Sequence, residues 1–454
     1  MTARIFFAAL LGALVTQPEL AAQEPESPQD TTFDLGALLG DDERGGLTIS
    51  SGKTYNRVEG LPIFFGPTYK SPVRSAELSI AVLGIIRTAH KMHWDAENLG
   101  HRVTVDLRRG TRRGIAFGAS AFDLVEKIEP WQLDEPDGGL AAFFLKRDYF
   151  DHFGRHGGRL YASAFRGEQS SVTARYGHER WSSRRQRDVF SLFRGDDSWR
   201  TNPVVNDGVV HVTDLSLHLD TRNSELNPLA GWFVSANYEH GSGEFRTEGT
   251  TIGPTLPDGR AELDYGRIFL DLRRYNRISP KRQLNARLVL GGWLHGDPLP
   301  YQRRFSVGGI GTLPGFDFRR VGIGTDVGQC SGESGFPEAR PAECERVALA
   351  QVEYRHELKS ELFDVFNRNG IRVRGAEFRV KPSVVAFADA GRGWLIGSRQ
   401  GALRYPSGSF PGFDTFRTDV GLGLDLGIAG LYVAKAVSES KEPANFFVRI
   451  RNRF

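Results

Sequence analysis

From Tyr55 onward, apolar and polar side chains take turns along the chain with a period of two. The clearest stretch is Thr415 to Gly427. There Phe416, Thr418, Val420, Leu422, Leu424 and Leu426 fall on one face, while Arg417, Asp419, Gly421, Gly423 and Asp425 fall on the other. A helix would scatter these residues around its axis; a strand sorts them cleanly. In 211–220, Thr213, Leu215, Leu217 and Leu219 alternate with Asp214, Ser216, His218 and Asp220. In 265–274, Ile268, Leu270 and Leu272 alternate with Arg267, Asp271 and Arg273. In 346–357, Ala348, Ala350, Val352 and Tyr354 oppose Gln351, Glu353 and Arg355, and near the end Phe446, Val448 and Ile450 oppose Arg449, Arg451 and Arg453.

A soluble sandwich also alternates, so the polar face decides the class. Arg, Asp and Glu recur on it along the whole chain, as a wet, charge-paired lumen requires, which leaves the apolar face to meet lipid. Segments of about ten residues match a tilted strand crossing a bilayer. The pattern predicts an all-β fold, a transmembrane antiparallel β-barrel of about 16 strands. The expected strands are 56–68, 76–88, 101–109, 113–124, 139–148, 158–167, 170–181 and 208–220. The remaining ones are 231–241, 263–275, 283–294, 346–357, 382–391, 414–427, 429–437 and 444–454. Short turns such as Asn223–Gly231 and Ala429–Gly430 would face the periplasm. Long inserts at 182–207, 295–345, 392–413 and 437–443 would lie outside.

The first residues change the picture by giving an address. A basic start at Met1 to Arg4, an apolar run from Ile5 to Val15 and small residues at Ala21 and Ala22 form a secretory signal peptide over 1–22. Residues 23–52 read as a short, flexible periplasmic lead-in, and 53–454 as the barrel. No later run of about 18 apolar residues exists to make a membrane helix. A mean hydropathy of −0.35 and 25% charged residues are compatible with a barrel, whose strands average out. With 31 Phe, 12 Tyr and 7 Trp there is material for interfacial girdles. A net charge of +3 gives no argument for nucleic acid. In an exported protein the two cysteines, Cys330 and Cys344, point to a disulfide stapling a loop.

Five stretches, in order, resemble the BamA/TamA-type outer-membrane assembly factors, also called bacterial surface antigens. They are Tyr55-Asn56-Arg57-Val58-Glu59-Gly60-Leu61, similar to the opening strand, and Asp220-Thr221-Arg222 with Asn227-Pro228 and Gly231, similar to a mid-barrel turn. Next come Arg304-Phe305-Ser306-Val307-Gly308-Gly309 with Leu313-Pro314-Gly315-Phe316, similar to the sixth external loop and its tip. Ala386-Phe387-Ala388-Asp389-Ala390-Gly391 resembles the strand motif that follows, and Phe454 the aromatic end read by the barrel-assembly machinery. The resemblance implies a bacterial outer-membrane location and first and last strands that meet at a seam able to open toward lipid. It also implies a sixth loop folded into the lumen, whose tip arginine contacts acids matching Glu353 and Asp389. Here Pro314 stands where the family has that arginine, so Arg319 or Arg320 is expected to supply the guanidinium. Stretch 23–52 is too short for a POTRA module of the kind the family carries.

Chemistry elsewhere is thin. His90 with His93, and His152 with His156, have helical metal-ligand spacing but lie in strand and turn context, so no metal is expected. Asp123, Glu126 and Glu129 lack the partners of a hydrolase, and Gly308-Gly309-Ile310-Gly311 lacks phosphate-loop spacing. No catalytic residue and no cofactor is expected. The expected function is non-enzymatic: aiding insertion or translocation of proteins or lipids through the seam. Its partners would be outer-membrane lipid, client proteins or lipids, and the barrel-assembly machinery during biogenesis, with no nucleic acid. The alternative is a passive pore or surface antigen gated by its sixth loop.

Overall fold

The computed structural model describes residues 45–454 except 52, 91–94, 96, 168, 195–196, 226, 247–259, 320–343, 359–370, 374–375, 379–381, 398–403, 428 and 451–452. The leader 1–22, most of the lead-in and Cys330 lie outside the described residues. Sixteen strands follow one another as an antiparallel meander. They begin with β1 (Gly45–Ser50), β2 (Pro62–Val73), β3 (Ala76–Arg87), β4 (Leu99–Arg109) and β5 (Arg113–Ile128). A helix, α1 (Glu135–Leu145), precedes β6 (Asp151–Arg166), β7 (Ser170–Ser183), β8 (Gly208–Asp220), β9 (Gly231–Arg246) and β10 (Arg260–Ser279). Then come β11 (Arg282–Gly296), β12 (Arg346–Glu357), β13 (Ser383–Ile396), β14 (Arg417–Asp425), β15 (Gly430–Ala436) and β16 (Asn445–Arg449). Each pairs with the next, from Gly45↔Tyr69 at the start to Gly430↔Arg449 at the end. A small hairpin, Ile371–Val373 against Ala376–Phe378, sits in the β12–β13 connection.

The alternation of the sequence becomes an outside and an inside. On β8 Leu215 and Leu217 are exposed while Asp214, next to Leu215, is buried. On β14 Leu422 is 58% exposed and Asp419 1%. On β16 Phe446 and Val448 point out and Arg449 in. Water would penalise such an apolar exterior; hydrocarbon does not, and the polar residues gain partners across the lumen. Connections alternate in length, tight at β2–β3, β4–β5, β6–β7 and β10–β11 and long at the other end.

Two strands differ from expectation, and the errors cancel in the count. Residues 45–50, assigned to the flexible lead-in, form β1 on the rim of β2; Gly45-Gly46 and a length of six residues hid it in a polar stretch. Residues 139–148 are not a strand but mostly α1. Pro136 in its first turn, with Glu135 and Asp137 beside it, suits a helix N-terminus, and the apolar run from Leu140 to Leu145 is ambiguous by periodicity. Tyr55 to Leu61, read as part of the opening strand, makes the β1–β2 connection, pinched by the Asn56↔Gly60 bridge. The final ladder stops at Arg449, short of 454.

Leu422→Arg places a guanidinium in the lipid-facing row and should cost about 2–4 kcal/mol near the bilayer midplane. Urea titration of the barrel refolded into vesicles checks it; an unchanged midpoint would mean that Leu422 does not face lipid.

Candidate functional site: the lumen and its sixth loop

The β11–β12 connection turns inward. Arg303 at its start donates to Glu239 Oε1 of β9 at 2.7 Å, and Gln302 and Asn206 exchange hydrogen bonds beside it. Phe305 bridges Cys344. Ser306 donates N–H and Oγ–H to the two oxygens of Glu129, each at 2.6 Å, just beyond the end of β5. Gln351 of β12 donates to Thr312 O at 2.9 Å. The Gly315 N–H reaches Asp419 Oδ2 of β14 at 2.6 Å, and Asn445 of β16 donates to Pro314 O at 3.1 Å. One short segment that touches strands around the circumference lies inside the cylinder. Leu299, Val307, Leu313 and Phe316 pack there with Phe153, Trp181, Val289 and Leu349 as an apolar core. Gly315 is needed at the tip: a Cβ there would sit 2.5 Å from the Asp419 Cβ and 2.7 Å from Ala436 N.

Arg319 is the loop's buried guanidinium, but its ion-pair partners among the described residues are Asp151 at the start of β6 and Glu129, the latter at 3.4 Å. Glu353, one of the expected acids, is held by Arg355 at 3.2 Å and Asn285 at 3.3 Å. Asp389, the other, pairs with Arg453 near the C-terminus. Arg320 lies outside the described residues. The tip instead meets Asp419, which stands directly opposite Asp389 in the β13–β14 register. The shift follows from position. Arg319 comes four residues after Gly315, beyond the tip, and the returning chain carries it to the far wall.

The cluster around Arg319 was missed in the sequence. Arg57, fully buried, pairs with Asp148 at 3.0 Å and Asp151 at 2.9 Å and also donates to Asn202 at 3.1 Å. Arg200 adds a contact to Asp151 at 2.7 Å. Three guanidiniums (Arg57, Arg200, Arg319) thus meet three carboxylates (Asp148, Asp151, Glu129), a balance that a buried charge cluster needs. In the loops, Arg57 and His152 hold the Asp148 carboxyl far below the usual range despite burial. Burial pushes Glu129 up to about 7 against the pull of Arg319 and Ser306. Glu129 and Arg319 both take left-handed backbone, φ 58° and 56°. Such residues persist when surrounding contacts fix them.

A third knot holds the chain's end. Arg449 of β16 donates to Asp137 of α1 at 2.7 Å, and Ile450 N donates to the same carboxylate at 2.6 Å. Phe454 is buried. Among the described residues no group of three or more His, Cys, Asp and Glu side chains is placed to hold a metal.

A family model described as the Omp85 superfamily domain matches residues 154–430. No curated protein sequence matches the chain. Among solved structures, BamA from Haemophilus ducreyi lacking POTRA domains 1-3 is similar with a TM-score of 0.48 at 14% identity, covering 89% of this chain and 70% of that one. CdiB from Acinetobacter baumannii gives 0.36 at 12%, covering 89% and 58%, and CdiB from Escherichia coli gives 0.35 at 12%, covering 89% and 60%.

Arg319→Ala leaves Glu129 and Asp151 with one cation fewer in a dry site and should cost about 3–5 kcal/mol. Chemical unfolding, with limited proteolysis of the sixth loop, measures it; a loss within the range of a surface pair would mean that the cluster does not hold the loop. Because Glu129 binds its proton more tightly when folded than at its ordinary 4.5, folding stability should fall as pH rises from 4.5 to about 7. Glu129→Gln should flatten the unfolding midpoint across that window. A wild-type midpoint that rises there contradicts the assignment.

Proposed function

The chain belongs to the Omp85 superfamily of outer-membrane β-barrel proteins, and from that premise we propose that it aids insertion or translocation of proteins or lipids through a lateral seam between β1 and β16. The observation that carries this reading is the weakness of the two ends of the sheet. β1 pairs with β2 over six positions and β16 with β15 over five, whereas β9 and β10 pair over sixteen. Each unmade backbone bond in hydrocarbon costs several kcal/mol, so a short edge is the place where a sheet opens at least cost.

The filled lumen supports a sideways route. Leu313, Phe316 and Val307 of the sixth loop are buried among wall residues, and the ion pairs of Arg303 and Arg319 cross the same space. A substrate passing along the axis would have to displace all of this. The rival reading, a passive pore or surface antigen gated by its sixth loop, requires that plug to leave the lumen. Asn445 ties the loop's tip to β16, so the state of the plug and the state of the seam are physically linked. Within this reading, residues 1–22 direct export, Phe454 is the signal to the barrel-assembly machinery, and a Cys330–Cys344 bridge staples the far part of the loop beside buried Cys344.

The test pairs Leu47→Cys with Val448→Cys and joins them by a short cross-linker. Locking should abolish insertion of a reporter outer-membrane protein into vesicles, while the heat-modifiable gel mobility of the barrel and its leak to small ions stay as before. Undiminished insertion by the locked form would sink the seam.

A further inference from the structure

Six of the chain's 11 histidines occupy one level on the outer face of the barrel. His101 lies on β4, His156 on β6, His178 on β7, His211 on β8, His240 on β9 and His295 on β11. All are exposed except His240, which is half-buried. They meet in pairs: His178 and His211 are direct cross-strand partners with ring centroids 4.5 Å apart. His101 and His156 lie at 6.0 Å, and His240 and His295 at 6.2 Å. Two tyrosines join from the lipid side. Tyr176 Oη is 2.9 Å from His211 Nδ1, and Tyr238 Oη is 3.2 Å from His295 Nε2.

Below this level the exterior is apolar. Moving toward the short turns, the same outward face reads Val103, Val105 and Leu107 below His101, and Thr213, Leu215, Leu217 and Leu219 below His211. Below His178 it reads Tyr176, Ala174 and Val172. From His211 to Leu219 a strand tilted by about 40° climbs about 20 Å, close to the apolar band of about 25 Å in such barrels. The imidazoles therefore stand at the headgroup plane of the leaflet at the long-connection end, where barrels ordinarily carry an aromatic girdle. Exposed Arg180 follows His178 on the same face and is the cross-strand partner of both His156 and exposed Val209.

We propose that this belt is a binding surface for the anionic phosphate headgroups of that leaflet. An imidazole is a ring that tolerates the interface and, when protonated, a cation with two N–H donors. Paired rings a few ångströms apart would repel each other when both are charged unless an anion lies between them, and a headgroup phosphate supplies it. The other charged groups facing the belt are few. Asp123 lies 3.6 Å from His156 and is shared with Arg87 and Arg184, and Asp264 lies 3.8 Å from His240. Glu244 above is paired with Arg260. His178, His211 and His295 thus have no carboxylate contact among the described residues, and they are the ones expected to take the phosphate. This inference is independent of whether the seam opens.

The full chain, its His178→Gln/His211→Gln variant and the six-fold His→Gln variant are reconstituted in phosphatidylcholine with a minority of phosphatidylglycerol, whose charge is constant over the range used. Bound lipid is counted by native mass spectrometry from pH about 8 to about 5. The wild-type preference for phosphatidylglycerol should rise about tenfold on acidification, the double variant should lose most of that rise, and the six-fold variant all of it. Heat-modifiable mobility reports that each variant folds. If the six-fold variant does not fold, the double variant decides. A rise that survives in the double variant, a wild type indifferent to pH, or displacement of the lipid by inorganic phosphate would each overturn the proposal.

Discussion

A backbone amide at membrane depth has no water to fall back on, and leaving one unpaired costs several kcal/mol. That single constraint selects the architecture. Once the sequence alternates with a period of two and is not helical, its strands can satisfy their amides only against each other. The sheet must then curl until its two ends approach. Curling divides every strand into a lipid side and a lumen side, which is why Leu215 and Asp214 can be neighbours in sequence and live in opposite solvents.

The lumen then has to be filled and neutralised. Charged residues on sixteen inner faces would be intolerable if buried singly, and here they come in small knots in which one carboxylate is held by two arginines: Glu239 by Arg267 and Arg303, Asp271 by Arg273 and Arg287, Glu179 by Arg155 and Arg159. Buried ion pairs return little net stability compared with apolar packing, but they are exacting about geometry. The sixth loop uses that property. Its apolar residues supply burial, and Arg303, Arg319 and the Gly315 N–H fix where the loop lies among alternatives of similar hydrophobicity.

Much of this was legible in the sequence, and the limits have physical causes. Period-two sorting located the faces of β8, β10 and β16 and of β14 from Val420 on, because hydrocarbon and a charged lumen impose opposite chemistries on alternate positions; Phe416 and Thr418, placed on the lipid side, are buried instead. It failed where the environment is not two-sided. β1 is short and glycine-rich, and α1 lies in a connection with no lipid face to impose the pattern. The docking of the sixth loop was half legible. That it enters the lumen was implied by the resemblance of Arg304–Gly309 and Leu313–Phe316 to the family's sixth loop. Which acids it meets did not, because a pairing between residues 168 positions apart, Arg319 and Asp151, leaves no periodic trace.

The replacement of the expected contacts makes sense once the charges are counted by place. Asp389 and Asp419 face each other across the β13–β14 ladder, so two carboxylates compete for positive partners in one dry spot. Like charges directly opposite are unfavourable on a sheet. Arg453 reaches Asp389 from the C-terminus, and Asp419 is met by the Gly315 N–H. With Pro314 in place of a tip arginine, a backbone donor does at β14 what a guanidinium would otherwise do. Arg319 is thereby released to join Arg57 and Arg200 on the opposite wall, where Glu129, Asp148 and Asp151 would lack a third cation. The two walls are thus coupled through a single loop: tip to β14 and β16 on one side, guanidinium to β6 on the other. Any movement of β16 that strains the Asn445–Pro314 contact is resisted by ion pairs across the whole width of the lumen.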